Sequence, residues 1–350
     1  MDLNRHRRSL FGRRRLGLAV AAMAATATLL VGCTANAPGA SSTPADPNAK
    51  SVLTILTQSP AFGFLPLQAM LDDGFADAEN LEINYLYFGQ GGGSLSGVFA
   101  SGQGDALFGG AEAAVQLAAS GVSDVRIVGS LYQKGVWVGV SNADSPYNKL
   151  SDLKGQVLGI SGPGAFSDYA LRAAIKEDGL KDSDFQIAAL GRAPTQLAAL
   201  QNGSAQFVQL QSPVLEGPLN SGAVKIVEDF RTPQASLVFN VRKSSLDNNR
   251  VAWEKFMRAY KAALDKIQSD PAYALDLATR VWGSTNTQDQ IKQQLASYID
   301  DPGIWSDTGV MSEDEYNATV KVLEDGGAGY DPSTIPTFDQ ITEGTAGLLN

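Results

Sequence analysis

The chain has 350 residues, a formal net charge of −10 at neutral pH, one cysteine and one histidine. The acidic balance argues against nucleic acid as a partner. Because the histidine is His6 and the cysteine is Cys33, the rest of the chain has no imidazole or thiol for a Ser-His-Asp or Cys-His nucleophile, a common zinc site or a disulfide.

At the N-terminus, Arg5, Arg7, Arg8, Arg13, Arg14 and Arg15 precede an uncharged run over residues 16–31. Its length, about 16 residues, falls short of the ~20 needed to span a bilayer. A basic segment followed by a short apolar one reads as an export signal. Leu30-Val31-Gly32-Cys33 resembles a lipobox, so residues 1–32 are expected to be the signal and Cys33 the lipid attachment point. A buried inert thiol is the alternative, disfavoured by the position of Cys33 at the end of the apolar run. Arg7-Arg8-Ser9-Leu10-Phe11 resembles a twin-arginine motif, leaving that route and Sec both open. Removing six arginines and Asp2 leaves 21 basic and 36 acidic residues, a net charge of −15. Residues 33–50, rich in Ala, Pro, Ser and Thr, cannot bury a core and read as a flexible tether. The 318 residues after the signal exceed one ordinary core, so two lobes are expected.

Strand and helix patterns then alternate: a strand at 53–56, a helix ending at Phe75, a strand at 81–88, a helix to Ser101, a strand at 105–108 and a helix from Glu112. The order recurs from Val157, and the interval between first and second strands is 28 residues in both copies, Leu53 to Leu81 and Val157 to Phe185. Strands separated by helices predict mainly parallel sheets with right-handed crossovers. The fold class is therefore α/β, with two similar lobes. Strand-like runs at 137–141 and 236–241 are expected to be the crossover segments. They set lobe 1 as residues 51–138 and 240–350 and lobe 2 as 139–239. From Val251 the pattern is helical: Trp253, Phe256, Tyr260, Leu264 and Ile267 make one apolar face, expected to pack on lobe 1.

In open α/β sheets, ligands bind beyond the carboxyl ends of the strands, where loops enter helices. Those loops hold Gln58, Ser59 and Phe62; Gly92, Gly93 and Ser94; Gly110, Ala111 and Glu112; Ser161, Gly162, Ala165, Phe166 and Ser167; and Gln211 and Ser212. Their glycines and hydroxyls leave helix N–H groups open to a small polar solute. Helix capping alone also accounts for serine at 94, 167 and 212. Phe62 and Phe166 are candidates to stack on a ligand or to fill a core. Glu112 either favours its own helix dipole or, facing the cleft, favours an ammonium or nitrogen-heterocycle donor. Arg192 and Lys134 are the nearby cations. The run Gly89-x-Gly91-x-x-Ser94 lacks the third glycine of a dinucleotide fingerprint, and no Gly-Lys-Ser/Thr occurs.

One stretch reads Ser151-Asp152-Leu153-Lys154-Gly155-Gln156-Val157-Leu158-Gly159-Ile160 and runs into Ser161-Gly162; others are Glu177-Asp178-Gly179-Leu180, residues 196–203 and Gly102-Gln103-Gly104-Asp105-Ala106. With these motifs the chain resembles the solute-binding proteins of ABC importers for nitrate, sulfonates, taurine and pyrimidine precursors, over roughly residues 51–260. It departs from them at Gly203-Ser204-Ala205-Gln206 and at Gln211-Ser212-Pro213. The resemblance implies a type II periplasmic-binding-protein fold, no catalysis and no cofactor or metal. It also implies a monomer that hands its solute to a permease and ATPase at the outer face of the membrane. Two alternatives remain: a ligand-sensing lipoprotein without a transporter, and a pyrimidine-precursor enzyme of the same fold. The missing histidine disfavours the enzyme.

Overall fold

The computed structural model describes residues 49–58, 61–88, 92–212, 214–300 and 303–349. The signal, Cys33, nearly all of the tether and Ser59 lie outside them. In chain order the elements are β1 (Ser51–Gln58), α1 (Leu65–Asp72), α2 (Phe75–Ala78), β2 (Leu81–Phe88), α3 (Gly92–Ala100), β3 (Ala106–Gly109), α4 (Ala111–Ala119) and β4 (Arg126–Lys134). Next come β5 (Val138–Asn142), β6 (Val157–Ile160), α5 (Phe166–Glu177), β7 (Gln186–Ala189), α6 (Ala193–Gln201), β8 (Val208–Leu210), α7 (Glu216–Asn220) and β9 (Val224–Asp229). The chain ends with β10 (Pro233–Val241), α8 (Lys243–Asn248), α9 (Arg250–Ser269), α10 (Pro271–Trp282), α11 (Gln288–Ile299), α12 (Glu313–Asp325) and α13 (Phe338–Ile341).

A five-stranded sheet has the order β2-β1-β3-β10-β4. β1 pairs in parallel with β2 from Ser51↔Leu81 to Gln58↔Phe88, and with β3 at Ile55↔Ala106. β10 is antiparallel to both β3 and β4, so every strand but β10 points the same way. The remaining strands form a three-stranded sheet β8-β5-β9 and a parallel pair β6-β7, joined by the bridge Leu158↔Phe207. The fold is thus α/β with a mainly parallel central sheet, as the strand-helix alternation predicts.

The crossing points differ from the sequence expectation. Apart from Trp137, the runs at 137–141 and 236–241 each lie within one sheet system, because β5 pairs with β8 and β9 while β10 pairs with β3 and β4. The chain crosses instead at residues 135–137 and 230–232, just before each of those strands. The two crossings touch: Gly135 N–H donates to Thr232 O at 3.0 Å.

Both faces of the larger sheet are covered. Leu53, Ile55, Phe108 and Phe239 pack against Trp253, Phe256 and Tyr260 of α9, with Phe239 edge-on to Tyr260 at 4.8 Å. This apolar face of α9 is the one its sequence spacing marks. On the other face, Leu56, Leu107 and Val238 meet Leu95 and Phe99 of α3, Val115 of α4 and Tyr316 and Leu323 of α12. Reciprocal capping boxes start α11 (Thr287 with Gln290), α12 (Ser312 with Glu315) and α13 (Thr337 with Gln340), satisfying amides that the first helical turn leaves open. At the amino end of the sheet, the fully buried Lys255 donates from Nζ to Ala49 O at 2.6 Å.

Candidate functional site

The carboxyl end of β6 runs into α5 through a loop whose own side chains fix its shape. Ser161 N–H donates to Ser167 Oγ at 3.0 Å and Gly164 N–H to Asp168 Oδ2 at 2.9 Å; Asp168 Oδ1 in turn accepts from Arg172 Nε at 2.7 Å. Gln209, fully buried on β8, donates from Nε2 to Ser167 O at 2.8 Å and from its backbone N–H to Gln196 Oε1 at 3.0 Å. With its hydroxyl turned to the Ser161 amide, Ser167 shapes the loop rather than facing a solute. Two buried atoms in this network have no protein partner, Ser161 Oγ and Gln209 Oε1.

The matching feature on the larger sheet is the turn from β3 into α4. Asn240, also fully buried, donates from Nδ2 to Gly109 O and Gly110 O, both at 3.4 Å, and its Oδ1 has no protein partner. Thr57 Oγ1, one residue from the end of β1, is likewise buried and unpartnered. The Glu112 carboxylate folds back over Gly110, and a Cβ at position 110 would run into Glu112 Oε2 as it stands. A side chain at position 110 would make that carboxylate swing aside. Burial pushes the Glu112 carboxyl up to about 7, opposed in part by its own backbone N–H.

The two features adjoin. Gln116, one turn after Glu112 on α4, donates from Nε2 to Gly164 O at 2.9 Å. The hydroxyls of Tyr169 on α5 and Tyr330 stand 3.4 Å apart, and the charge on Glu112 helps hold the Tyr330 hydroxyl above its usual range, after burial and Tyr169. The structure therefore brings together Gly110, Ala111, Glu112, Ser161, Gly162, Ala165, Phe166 and Ser167 of the residues expected from sequence.

Others are placed differently. Phe62 is 1 % exposed and packs between Tyr298 at 5.7 Å and Trp282 at 6.5 Å, which makes it core rather than a stacking surface. Gln58 closes β1, and Gly92, Gly93 and Ser94 begin α3. Gln211 O accepts from the backbone of Val214 and Leu215, starting the turn that leads to α7. The Ser212 hydroxyl bonds Glu216, and both line a cavity of about 230 Å³ with Lys134, Arg231 and Asp300. This cavity sits beside the crossings and includes neither residues 110–112 nor 161–167. Arg231 there is held by Asp229 through Nε at 2.9 Å and Nη2 at 2.7 Å. Arg192 is exposed ahead of α6.

Sequence reasoning missed Thr57, Gln116, Tyr169, Gln209, Asn240 and Tyr330. Thr57, Gln209 and Asn240 lie inside strands, where a polar residue facing inward is the one available signal. A second cavity, about 430 Å³, opens at the amino end of the larger sheet by Thr54, Asp105, Arg242 and Ser245. Two of its charged groups are paired: Asp105 accepts from Thr54 N–H and Ser245 Oγ, both at 2.8 Å, and Arg242 donates from Nε to Gly104 O at 3.0 Å. Among the described residues no group of His, Cys, Asp and Glu is arranged to hold a metal.

The family described as NMT1/THI5 like matches residues 62–274. The chain belongs to the NMT1/THI5-like family. The matched part runs from the turn ahead of α1 into α10, so α11, α12 and α13 lie beyond it. A relative named riboflavin-binding protein RibY, from Chloroflexus aurantiacus, is 26% identical over 74% of this chain and 76% of its own. The alkanesulfonate-binding protein SsuA from Xanthomonas axonopodis pv. citri, solved bound to MOPS, is 16% identical with a TM-score of 0.65, over 84% of this chain and 97% of that one. A cysteine-to-serine mutant of DSZB, solved in complex with biphenyl-2-sulfinic acid, is 16% identical with a TM-score of 0.60, over 86% and 99%. These likenesses establish the periplasmic-binding-protein fold for this NMT1/THI5-like chain. DSZB is itself described as a desulfurization enzyme, so the fold alone does not separate binding from catalysis.

Proposed function

We propose that this protein is an extracytoplasmic solute-binding lipoprotein of an ABC importer, taking a small polar solute rich in N–H or O–H donors into the junction of α4 and the 161–167 loop. The observation that carries this reading is the sign of the unmatched polar groups. Gln209 Oε1 and Asn240 Oδ1 are acceptors, the orientation of each amide being set by the carbonyl its nitrogen serves. The hydroxyls of Ser161 and Thr57 accept as readily as they donate. Glu112 adds a carboxylate, and Arg172, the cation bonded to that loop through Asp168, is shared with Asp182. Buried acceptors left empty cost roughly 1–3 kcal/mol each, which a donor-bearing solute recovers. A nitrogen heterocycle with attached hydroxyls or amines suits this set better than a sulfonate or nitrate does, and the RibY relative is named for such a molecule.

Binding without catalysis is the accompanying proposal, since nothing after His6 and Cys33 supplies a histidine or thiol. Lipid on Cys33, a monomeric state, and delivery to a permease and ATPase complete it. Thermal unfolding with riboflavin, a diaminopyrimidine, taurine, an alkanesulfonate and nitrate tests the solute class. At a hundred times Kd a ligand adds about 2.7 kcal/mol, an upward shift of roughly 4 °C in Tm for a body of this size. Stabilisation by the anions alone would sink the donor reading.

A further inference from the structure

We propose that the C-terminal segment from α12 to Tyr330, which lies outside the family-matched residues, is a latch that holds the two sheet systems in their closed arrangement and thereby sets solute affinity. This rests on the solute-binding reading above for its purpose, but not for its geometry. The chain connects the two systems covalently at residues 135–137 and 230–232. α12 adds a non-covalent connection, beside a smaller one in which Asn220 of α7 donates from Nδ2 to Gln293 Oε1 of α11 at 2.7 Å. It packs on β10 and α4 on one side and along α5 on the other.

The packing is reciprocal. Val322 of α12 packs into the cluster built on Leu158, Leu171 and Phe207 of the smaller sheets, while Tyr169 of α5 packs into the cluster of Leu56, Leu107 and Val238 of the larger one. Polar contacts border that exchange: Lys176 Nζ to Asp325 Oδ1 at 2.9 Å, Tyr169 to Tyr330 at 3.4 Å, and Gln116 to Gly164 at 2.9 Å. At its centre is Gly326, the residue that ends α12, with an ordinary φ of −75°. A Cβ there would meet the backbone of Tyr169, 2.5 Å from its O and 2.7 Å from its Cα. Backbone cannot swing aside as a side chain does, so the glycine is needed for α5 to come this close. Alanine at 326 keeps its own backbone conformation and acts as a wedge against the closed arrangement alone.

The test is Gly326→Ala in the full chain, with Gly97→Ala as control, because a Cβ at Gly97 meets nothing within 4 Å. Small-angle X-ray scattering and amide hydrogen exchange are read without solute. The expected result is a larger radius of gyration for Gly326→Ala and exchange about tenfold faster in α5 and α12, with α9 unchanged. The same variant should bind riboflavin, or whichever probe stabilises the parent protein, about tenfold more weakly. If Gly326→Ala does not fold, the pair Lys176→Ala with Tyr330→Phe is read in its place, with a smaller shift in the same direction. Scattering and exchange indistinguishable from the parent and from Gly97→Ala overturn the latch. Failure of every solute to bind, with scattering and exchange shifted as expected, overturns the solute reading and leaves the latch standing.

Discussion

Replacing Glu112 with Gln separates what this carboxyl costs the fold from what it does for a solute. Burial raises it from the 4.5 of an exposed glutamate to about 7. A raised folded value means that the native state holds the proton more tightly than the unfolded chain does. Its contribution to stability is fully present below pH 4.5 and is lost as pH rises through 7. At ~1.36 kcal/mol per unit, the full shift corresponds to about 3 kcal/mol, reduced to roughly 1–3 kcal/mol because the residue is only half-buried. Urea unfolding of the solute-free parent should therefore weaken between pH 5 and pH 8 by that amount more than the Gln variant does. At pH 8 the variant should be the more stable of the two. Solute binding should move the opposite way: a donor on the carboxylate favours the ionised form, so affinity rises with pH through 7 in the parent and is flat and about tenfold weaker in the variant. Parallel pH profiles of stability for parent and variant would show that the carboxyl is solvated and refute the burial argument. The Tyr330 hydroxyl at its side, raised chiefly by burial, does not titrate in this window.

Further outcomes follow from the same geometry. Ser161→Ala removes an unpartnered buried hydroxyl, so stability should hold or rise by up to about 1 kcal/mol while the stabilising solute binds ~1–3 kcal/mol more weakly, measured by calorimetry. Ser167→Ala strips the Ser161 N–H of its acceptor and should cost roughly 1–3 kcal/mol in denaturant unfolding. Phe256→Ala, between Phe239 at 5.2 Å and Trp253 at 5.7 Å, should cost about 3–5 kcal/mol in the same assay and leave solute affinity of the folded fraction unchanged.

Most of the fold is legible in the sequence because its signals are local. The repeated strand-helix order and the 28-residue interval mark β1, β2, β6 and β7, and the spacing of Trp253, Phe256 and Tyr260 marks α9. The crossings are harder to place because β4 and β9 carry no clear period, so the strands that follow the crossings look like the crossings themselves. Of the site, the loops entering α4 and α5 are visible from glycine and hydroxyl content. Phe62 is ambiguous, since an aromatic ahead of a helix looks the same whether Trp282 or a ligand lies against it. Gln209, Asn240 and Tyr330 are hidden because their importance depends on contacts made across long stretches of chain, such as the bond from Asn240 to Gly110.

Lys255 fixes where the polypeptide enters the body: Ala49 is clasped at the amino end of β1, and the proposed solute junction lies at the strands' other end. On the proposed lipid attachment at Cys33, the pull of the anchor reaches the body at the amino end of β1. Stretched at ~3.4 Å per residue, the 16 residues between Cys33 and Lys50 reach about 50 Å. That exceeds the length of β1 itself, about 26 Å for eight residues. On the same proposal, that reach lets either end of the larger sheet face the membrane.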